Sequence, residues 1–439
     1  VGVCAEDVIP SRCVIGQVVD CRPSRPQGDD ADCDGVDQDC DGRADEGYRV
    51  DFSCGVGACA EEAVPSACVD GEERACVPGE PLGELDALCD GVDDDCDGQA
   101  DEDVPQLVGA PVRLTDHQGG AIEPRIVARQ GGPGFAIAWA DNRPGAAGIY
   151  LQRVSEDGVA RGAAVRLLNQ AGVARQPALV ADGDDTYAVA WASTESGSPQ
   201  IYFRRTAAGA VRGPAVRLVD TAQDATEPAL AFNGVEYAVV WTDSRHGETE
   251  IYLRRLAGDG QPIGGAVRIT DVPGDASGPS LVHLGPGGGY MLAYNERVGG
   301  AVEAYVQRIN VNGQPLGARL QISDALGNSS RPRLARRAQQ GFVATWSDTR
   351  DNQNEIYAAE LSALGVRQSD LLRITEDNFS QTVPAITPVD DGTFAVVWMD
   401  RRSGDEEIYV RRLDAGGVPR TPSVRVSNDP STSFVPDVA

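Results

Sequence analysis

The sequence predicts an all-β protein in two parts: small disulfide-rich repeats with little regular secondary structure, then a β-propeller. Three observations predict it. Tryptophan recurs at Trp139, Trp191, Trp241, Trp346 and Trp398, with Tyr294 in the one open place, giving steps of 52, 50, 53, 52 and 52 residues. All eleven cysteines fall between Cys4 and Cys96. The charge divides near the same point: the net charge is −29 over 439 residues, and residues 1–105 hold 29 Asp/Glu against 6 Arg, or −23. The boundaries read as 1–50 for a first Cys-rich repeat, 51–105 for a second and 106–439 for the propeller.

The Cys-rich part is a tandem repeat. "VGVCAEDVIPSRCVIGQVVDC" at the start matches "VGACAEEAVPSACVDGEERAC" from Val56. Cys4, Cys13 and Cys21 precede Cys59, Cys68 and Cys76 by 55 residues, and Cys33 and Cys40 precede Cys89 and Cys96 by 56. Cys54 has no counterpart after Val1, so the sequence reads as beginning inside a repeat, with more protein expected upstream. Units of about fifty residues with so few large hydrophobes cannot fold on a core alone. Disulfides and a bound metal are the usual substitutes. Cys33–Cys40 and Cys89–Cys96 are expected as local bridges, and the other pairings stay open. Zinc fits poorly, because residues 1–105 contain neither C-x-x-C nor histidine. Cysteine this dense implies an oxidising compartment. The acidity argues against nucleic acid or an anionic membrane as partner. No run of eighteen apolar residues occurs, so membrane insertion is not expected.

Each repeat ends in crowded carboxylates, "CDGVDQDCDGRADE" and "CDGVDDDCDGQADE". Asp37, Asp39 and Asp41, then Asp93, Asp95 and Asp97, stand at alternate positions before Gly42 and Gly98. In a tight loop this spacing converges the oxygens on one point, and the glycine permits the turn. Packed charges of one sign need a positive partner. The candidate ligands are Asp37, Asp39, Asp41, the carbonyl of Arg43, Asp45 and Glu46 in the first loop. In the second they are Asp93, Asp95, Asp97, the carbonyl of Gln99, Asp101 and Glu102. The pattern starts like an EF-hand, but position twelve is Tyr48 or Val104 instead of Glu. Asp45/Glu46 and Asp101/Glu102 are therefore expected to close the shell, as in shorter thrombospondin- or dockerin-like loops. The alternative is a solvated acidic turn. Asp30, Asp32 and Asp34 form a further D-x-D-x-D-G that is not repeated, and it reads as chance or an accessory site.

These fourteen-residue endings resemble the metal-binding repeat of bacterial surface proteins, a family named for the copper-binding protein MopE. The resemblance implies a bacterial extracellular or cell-surface protein, and its name implies copper. The residues favour Ca²⁺: copper prefers nitrogen or soft sulfur ligands, and residues 1–105 hold no His, Met or Trp.

From about residue 106, short alternating apolar runs are broken by Gly, Asn and Asp. Each Trp is preceded by a proline, from Pro124 to Pro384, and followed by a tyrosine, from Tyr150 to Tyr409. "PALAFN", "EYAVVWTD", "EIYLRRL" and "AVRIT" read as four strands by their period-two pattern and β-branched content. Four strands per 52-residue unit indicate propeller blades. Six are complete. "APVRLTD" (residues 110–116) matches a fourth strand and "VPDVA" (435–439) a first strand. They imply a seven-bladed ring whose remaining strands lie beyond Ala439. The alternative is a closed six-bladed ring.

Four blades carry W-x-D-x-R, as Asp141/Arg143, Asp243/Arg245, Asp348/Arg350 and Asp400/Arg402; Ser193/Glu195 and Glu296 replace it in blades two and four. Repetition favours turn capping and a blade-to-blade ion pair over a ligand-lining ring, and the exceptions mark where a specific site would differ. The blades loosely resemble sialidase-type propellers of secreted proteins, which implies three arginines converging on a carboxylate; the sialidase Asp-box is missing from its usual place. His117, His246 and His283 form no metal spacing, and no G-x-S-x-G, H-E-x-x-H or P-loop occurs. The sequence thus points away from an enzyme and toward a secreted structural or adhesive protein. Its expected partners are calcium ions, and either other copies of itself in a fibre or a surface glycan or protein. The alternative is a secreted carbohydrate-active hydrolase. Three arginines beside a Tyr–Glu pair in the central cavity would favour it.

Overall fold

A computed structural model describes residues 12–14, 17–19, 28–39, 41, 43–81, 92–100, 109–116, 119–168, 173–219, 221–324, 326–338, 340–375, 379–427 and 434–439. The chain forms two compact units, Val1–Val104 and Pro105–Ala439.

The first unit has little regular structure: hairpins Arg12–Val14/Gln17–Val19 and Ala67–Val69/Glu72–Arg74, and the single turn of helix Ala58–Glu61. Disulfides take the place of a core. Cys33 bonds Cys68, Cys54 bonds Cys76 and Cys59 bonds Cys96. The expected local bridges Cys33–Cys40 and Cys89–Cys96 therefore do not form. The reason lies in the loop between Cys33 and Asp39. Its amides at Asp34, Gly35, Gln38 and Asp39 bond to the side chains of Asp45 and Asp30, which holds the turn without a covalent link. The Cys33 sulfur is left for the hairpin, with 5.6 Å between the Cys33 and Cys68 α-carbons. That bond crosses from the first sequence repeat into the second. Tyr48 reinforces the crossing: its hydroxyl donates to Glu73 Oε1 (2.9 Å) and shares a second hydrogen bond with the Ser66 hydroxyl (2.7 Å).

The second unit is a propeller of six complete blades, each a four-stranded antiparallel sheet in sequential order. They span Ala121–Arg166, Ala174–Arg217, Ala225–Arg268, Ala276–Gln321, Ser329–Arg373 and Gln381–Arg425. The period-two pattern buries one face of each sheet against the next blade. Trp241 and Val239 of blade three pack on Ala190 and Phe203 of blade two in one of five inter-blade cores. Alanine at Ala136, Ala138, Ala188 and Ala190 lets the sheets approach around these large rings.

The recurrent proline has a structural cause. It lies on the innermost strand at a register shift, where the ladder loses nothing to a residue without an N–H. The residue before it adopts a positive φ in every blade: Glu123, Gln176, Glu227, Gly278, Arg331 and Val383.

Inner strands pack on one another in turn from blade one to blade six, and Val435 and Asp437 join those of blades one and six in lining the axis. Val435 repeats the inner-strand signature there, with φ 51° before Pro436, and Asp437 Oδ2 accepts the Ile126 N–H at 2.8 Å. Arg113 Nε donates to the Thr115 carbonyl at 2.6 Å, as Arg373 and Arg425 do to Thr375 and Ser427 on the fourth strands of blades five and six.

Candidate metal centre

Short side chains build the acidic loops by capping backbone amides two residues on, the usual use of Asp in turns. In the first, Asp39 Oδ1 accepts the Asp41 N–H (2.9 Å) and Asp41 Oδ1 the Arg43 N–H (3.0 Å). In the second, Asp95 accepts from Asp97 (3.1 Å) and Asp97 from Gln99 (2.9 Å). The repeated sequence thus builds one geometry twice. Carboxylate oxygens of Asp37, Asp39 and Asp41 lie within 4.8 Å of one another, and so do those of Asp93, Asp95 and Asp97. Oxygens sharing a Ca²⁺ at about 2.4 Å can be no more than about 4.8 Å apart, so both sets have the span of one ion's shell.

Burial sharpens the second loop. Asp93 is 7% exposed; its Oδ2 accepts the Gly98 N–H at 3.0 Å, and its Oδ1 is buried with no donor among the described residues. A buried, uncompensated carboxylate oxygen is costly. The all-oxygen set can hold a hard cation.

The closing residues are arranged differently from expectation. Asp45, with φ 64°, turns its carboxylate to the amides of Asp34 and Gly35 beside the Cys33–Cys68 bond, away from Asp37 and Asp41. With Cys33 and Cys68 oxidised, no thiolate is available there. Glu46 meets Asp30 and Asp39 instead. Its own backbone N–H favours the charged form, but desolvation and the charges of Asp41, Asp30 and Asp39 prevail and raise its pKa. Arg43 and Gln99 donate backbone N–H groups to Asp41 and Asp97, and Gln99 Nε2 also donates to Asp97 Oδ2 at 3.1 Å. Asp101 and Glu102 lie outside the described residues.

In the propeller, W-x-D-x-R proves to be a folding device. The aspartate accepts from the indole two residues before it and from the backbone N–H and guanidinium of the arginine two after it. In blade three, Asp243 receives Trp241 Nε1 at 2.8 Å, Arg245 N at 3.0 Å and Arg245 Nη2 at 2.5 Å. Asp141, Asp348 and Asp400 do the same, and all four are at most 1% exposed. Burial opposes ionisation, yet Arg143 and Trp139 hold the Asp141 carboxyl down at about 2, and the same partners lower Asp243 and Asp348. The arginine then lies over its own blade's tyrosine, 4.1 Å from the ring centre in blades three and five. The expected blade-to-blade ion pair is thus a pair within one turn.

Blade four keeps the chemistry with other residues: Arg319 donates to both oxygens of Glu296, at 2.7 and 2.8 Å. Blade two does not. Trp191 Nε1 is buried with no acceptor, because Ser193 stands where aspartate would be, and Ser193 lines a cavity of about 260 Å³.

Sequence reasoning missed a second repeated cluster. A buried third-strand glutamate accepts from the arginine that ends the fourth strand and from the hydroxyl two residues after it: Glu250 from Arg268 and Thr270, Glu355 from Arg373 and Thr375, Glu407 from Arg425 and Ser427. The signal was present in "VRIT", "LRIT" and "VRVS".

An axial cavity of about 480 Å³ is lined by inner strands and by Arg125, Arg331 and Arg333 facing Glu123, Glu227 and Asp437. Burial, reinforced by Arg125, pulls the Arg333 guanidinium down to about 10. Part of its rim is a relay: Glu123 Oε2 accepts the Gln176 N–H (2.6 Å), Gln176 Oε1 the Glu227 N–H (2.9 Å) and Glu227 Oε2 the Gly278 N–H (2.9 Å). Three arginines line this cavity, and no tyrosine is among its described lining residues. His246 is exposed and stacks on Tyr252, as an external turn residue would.

No family model matches the chain, and no curated protein matches it. Among solved structures it is similar to an α-L-arabinanase from Penicillium chrysogenum, at 16% identity over 67% of this chain and 93% of that one, TM-score 0.49. A protein of unknown function from Dyadobacter fermentans is similar at 13% identity over 68% and 95%, TM-score 0.49. An endo-arabinase from Bacteroides thetaiotaomicron is similar at 13% over 59% and 96%, TM-score 0.38. At these values the likenesses carry no argument about activity. The disulfides suit an oxidising, non-cytoplasmic compartment. No helix among the described residues is long and apolar enough to cross a membrane.

Proposed function

We propose that this is an extracellular or cell-surface structural or adhesive protein, in which calcium-stabilised, disulfide-linked repeats carry a propeller that serves recognition or assembly. The observation that carries the calcium reading is Asp93 Oδ1, buried without a donor beside Asp95 and Asp97. Ca²⁺ supplies the missing positive charge, and Asp93, Asp95 and Asp97 hold it, as Asp37, Asp39 and Asp41 do in the first loop. The MopE-like endings support the surface location. Isothermal titration of Ca²⁺ into EGTA-stripped protein checks the metal: Asp93→Asn should lose one binding event, and an unchanged isotherm would rule out the second loop.

The second reading, a carbohydrate-active hydrolase, is favoured by the axial arginines. A glycan array separates the two. An adhesin is retained on unaltered glycans, whereas a hydrolase releases reducing ends and loses that activity in Arg333→Ala.

The segments at 110–116 and 435–439 are, in this reading, the outer and inner strands of a seventh blade. The Arg113 contact and the Val435–Pro436 conformation support it. Their amides should exchange with solvent as slowly as those of Arg373 and Arg425, and random-coil rates would defeat the assignment.

A further inference from the structure

We propose that the first acidic loop holds two divalent cations: one on Asp37, Asp39 and Asp41, and a second on Asp30, Asp39 and Glu46, with Asp39 bridging. This deepens the calcium reading and rests on it. Carboxylate oxygens of Asp30, Asp39 and Glu46 lie within 4.8 Å of one another, a set that shares only Asp39 with the Asp37 cluster. Asp30 is 2% exposed. Its Oδ1 accepts the N–H groups of Gln38 (2.5 Å) and Asp39 (3.0 Å), which form the floor of the loop. Its Oδ2 is buried and has no donor among the described residues.

Two amides do not neutralise a buried carboxylate, and two further carboxylates beside it add charge of the same sign. An arginine would serve, yet among the described residues none pairs with Asp30, Asp39 or Glu46, although the propeller pairs its buried aspartates Asp141, Asp243, Asp348 and Asp400 with arginine. A hard divalent cation supplies the charge and takes the leftover oxygen as a ligand. The same three residue types recur fifty-six positions later as Asp86, Asp95 and Glu102, while Asp32 of the sequence motif D-x-D-x-D-G is replaced by Leu88. The residues repeated are those of the spatial cluster, and the sequence motif is not kept.

The test is equilibrium dialysis of EGTA-stripped full-length protein against radiolabelled Ca²⁺. Asp30→Asn keeps an Oδ1 acceptor for the Gln38 and Asp39 amides and removes the charge. Glu46→Gln changes an exposed residue and guards against misfolding of the first variant. Each should bind one ion fewer than wild type, Asp41→Asn one fewer, and Asp30→Asn/Asp41→Asn two fewer. Wild-type stoichiometry in both Asp30→Asn and Glu46→Gln would overturn the second site. A double variant that loses only one ion would show a single shared cation. A wild-type protein that binds no Ca²⁺ would instead sink the calcium reading itself.

Discussion

The two units bury aspartate in opposite ways. In the propeller, Asp141, Asp243, Asp348 and Asp400 are enclosed by donors from their own turns, an indole and an arginine each. In the acidic unit, Asp30 and Asp93 are buried with one oxygen each lacking a donor among the described residues. Both designs put a charge in a low-dielectric place. One closes the charge with residues two positions away, and the other leaves it for something the chain does not encode. The supply of arginine matches: residues 1–105 have 6 against 29 acids, and the remainder has 32 against 38. The difference teaches that a repeated aspartate motif is structural where its donors are repeated with it, and a candidate ion site where they are not.

The largest expected effect separates the units by their covalent links. Among the described residues of the first unit, three disulfides close loops with sequence separations of 35, 22 and 37. Chain-entropy arguments give about 3–4 kcal/mol for each. The propeller contains no cysteine. Reduction should therefore unfold residues 1–104, seen as rapid proteolysis. Tryptophan fluorescence should not change, because all five tryptophans lie in the propeller. Coincident loss of both signals would mean that the units depend on each other.

Next comes Asp243→Ala, which strands the Trp241 indole and the Arg245 guanidinium. Breaking a buried, hydrogen-bonded pair costs about 3–5 kcal/mol, read from denaturant unfolding followed by tryptophan fluorescence. A loss below about 1 kcal/mol would show that the motif is surface decoration.

Acid offers the same comparison without mutation. The folded pKa of Asp141 is depressed from 3.8 to about 2, and those of Asp243 and Asp348 are lowered as well. A depressed carboxyl stabilises the fold fully above its unfolded pKa, and that stability is lost as pH falls through the folded value. The propeller should hold a constant melting temperature above about pH 4 and lose it toward pH 2. A melting temperature that rises on acidification would contradict the sign.

The smallest effect lies in blade two. Ser193→Asp/Glu195→Arg restores W-x-D-x-R and gives Trp191 Nε1 an acceptor. One satisfied buried donor is worth about 1–2 kcal/mol, measured as a shift in the denaturant midpoint. Destabilisation would indicate that the cavity beside Ser193 requires the natural residues.

The propeller was legible because its determinants are local. Period-two burial, an aspartate between tryptophan and arginine, and a proline at each bulge all act within a few residues, so they survive as a 52-residue rhythm. The acidic unit was legible only in part. The spacing of Asp37, Asp39 and Asp41 announces convergence, but Cys33 finds Cys68 through a fold that spacing does not encode. Asp45 and Glu46 are neighbours in sequence and turn to different tasks, because the left-handed conformation at Asp45 separates their side chains. Asp30 was legible only as part of an unrepeated D-x-D-x-D-G, and burial is what separates it from the exposed Asp32 and Asp34.

The most direct test of the contrast is scanning calorimetry of the full-length protein in EGTA and in excess Ca²⁺, with tryptophan fluorescence recorded in parallel. At a free Ca²⁺ concentration about a thousandfold above Kd, one bound ion adds about 4 kcal/mol to the state that binds it. The expected result is a transition of the acidic unit that moves to higher temperature with Ca²⁺, while the tryptophan-detected transition of the propeller stays in place. An acidic-unit transition at the same temperature in both conditions would contradict the claim that divalent cations complete its buried carboxylates.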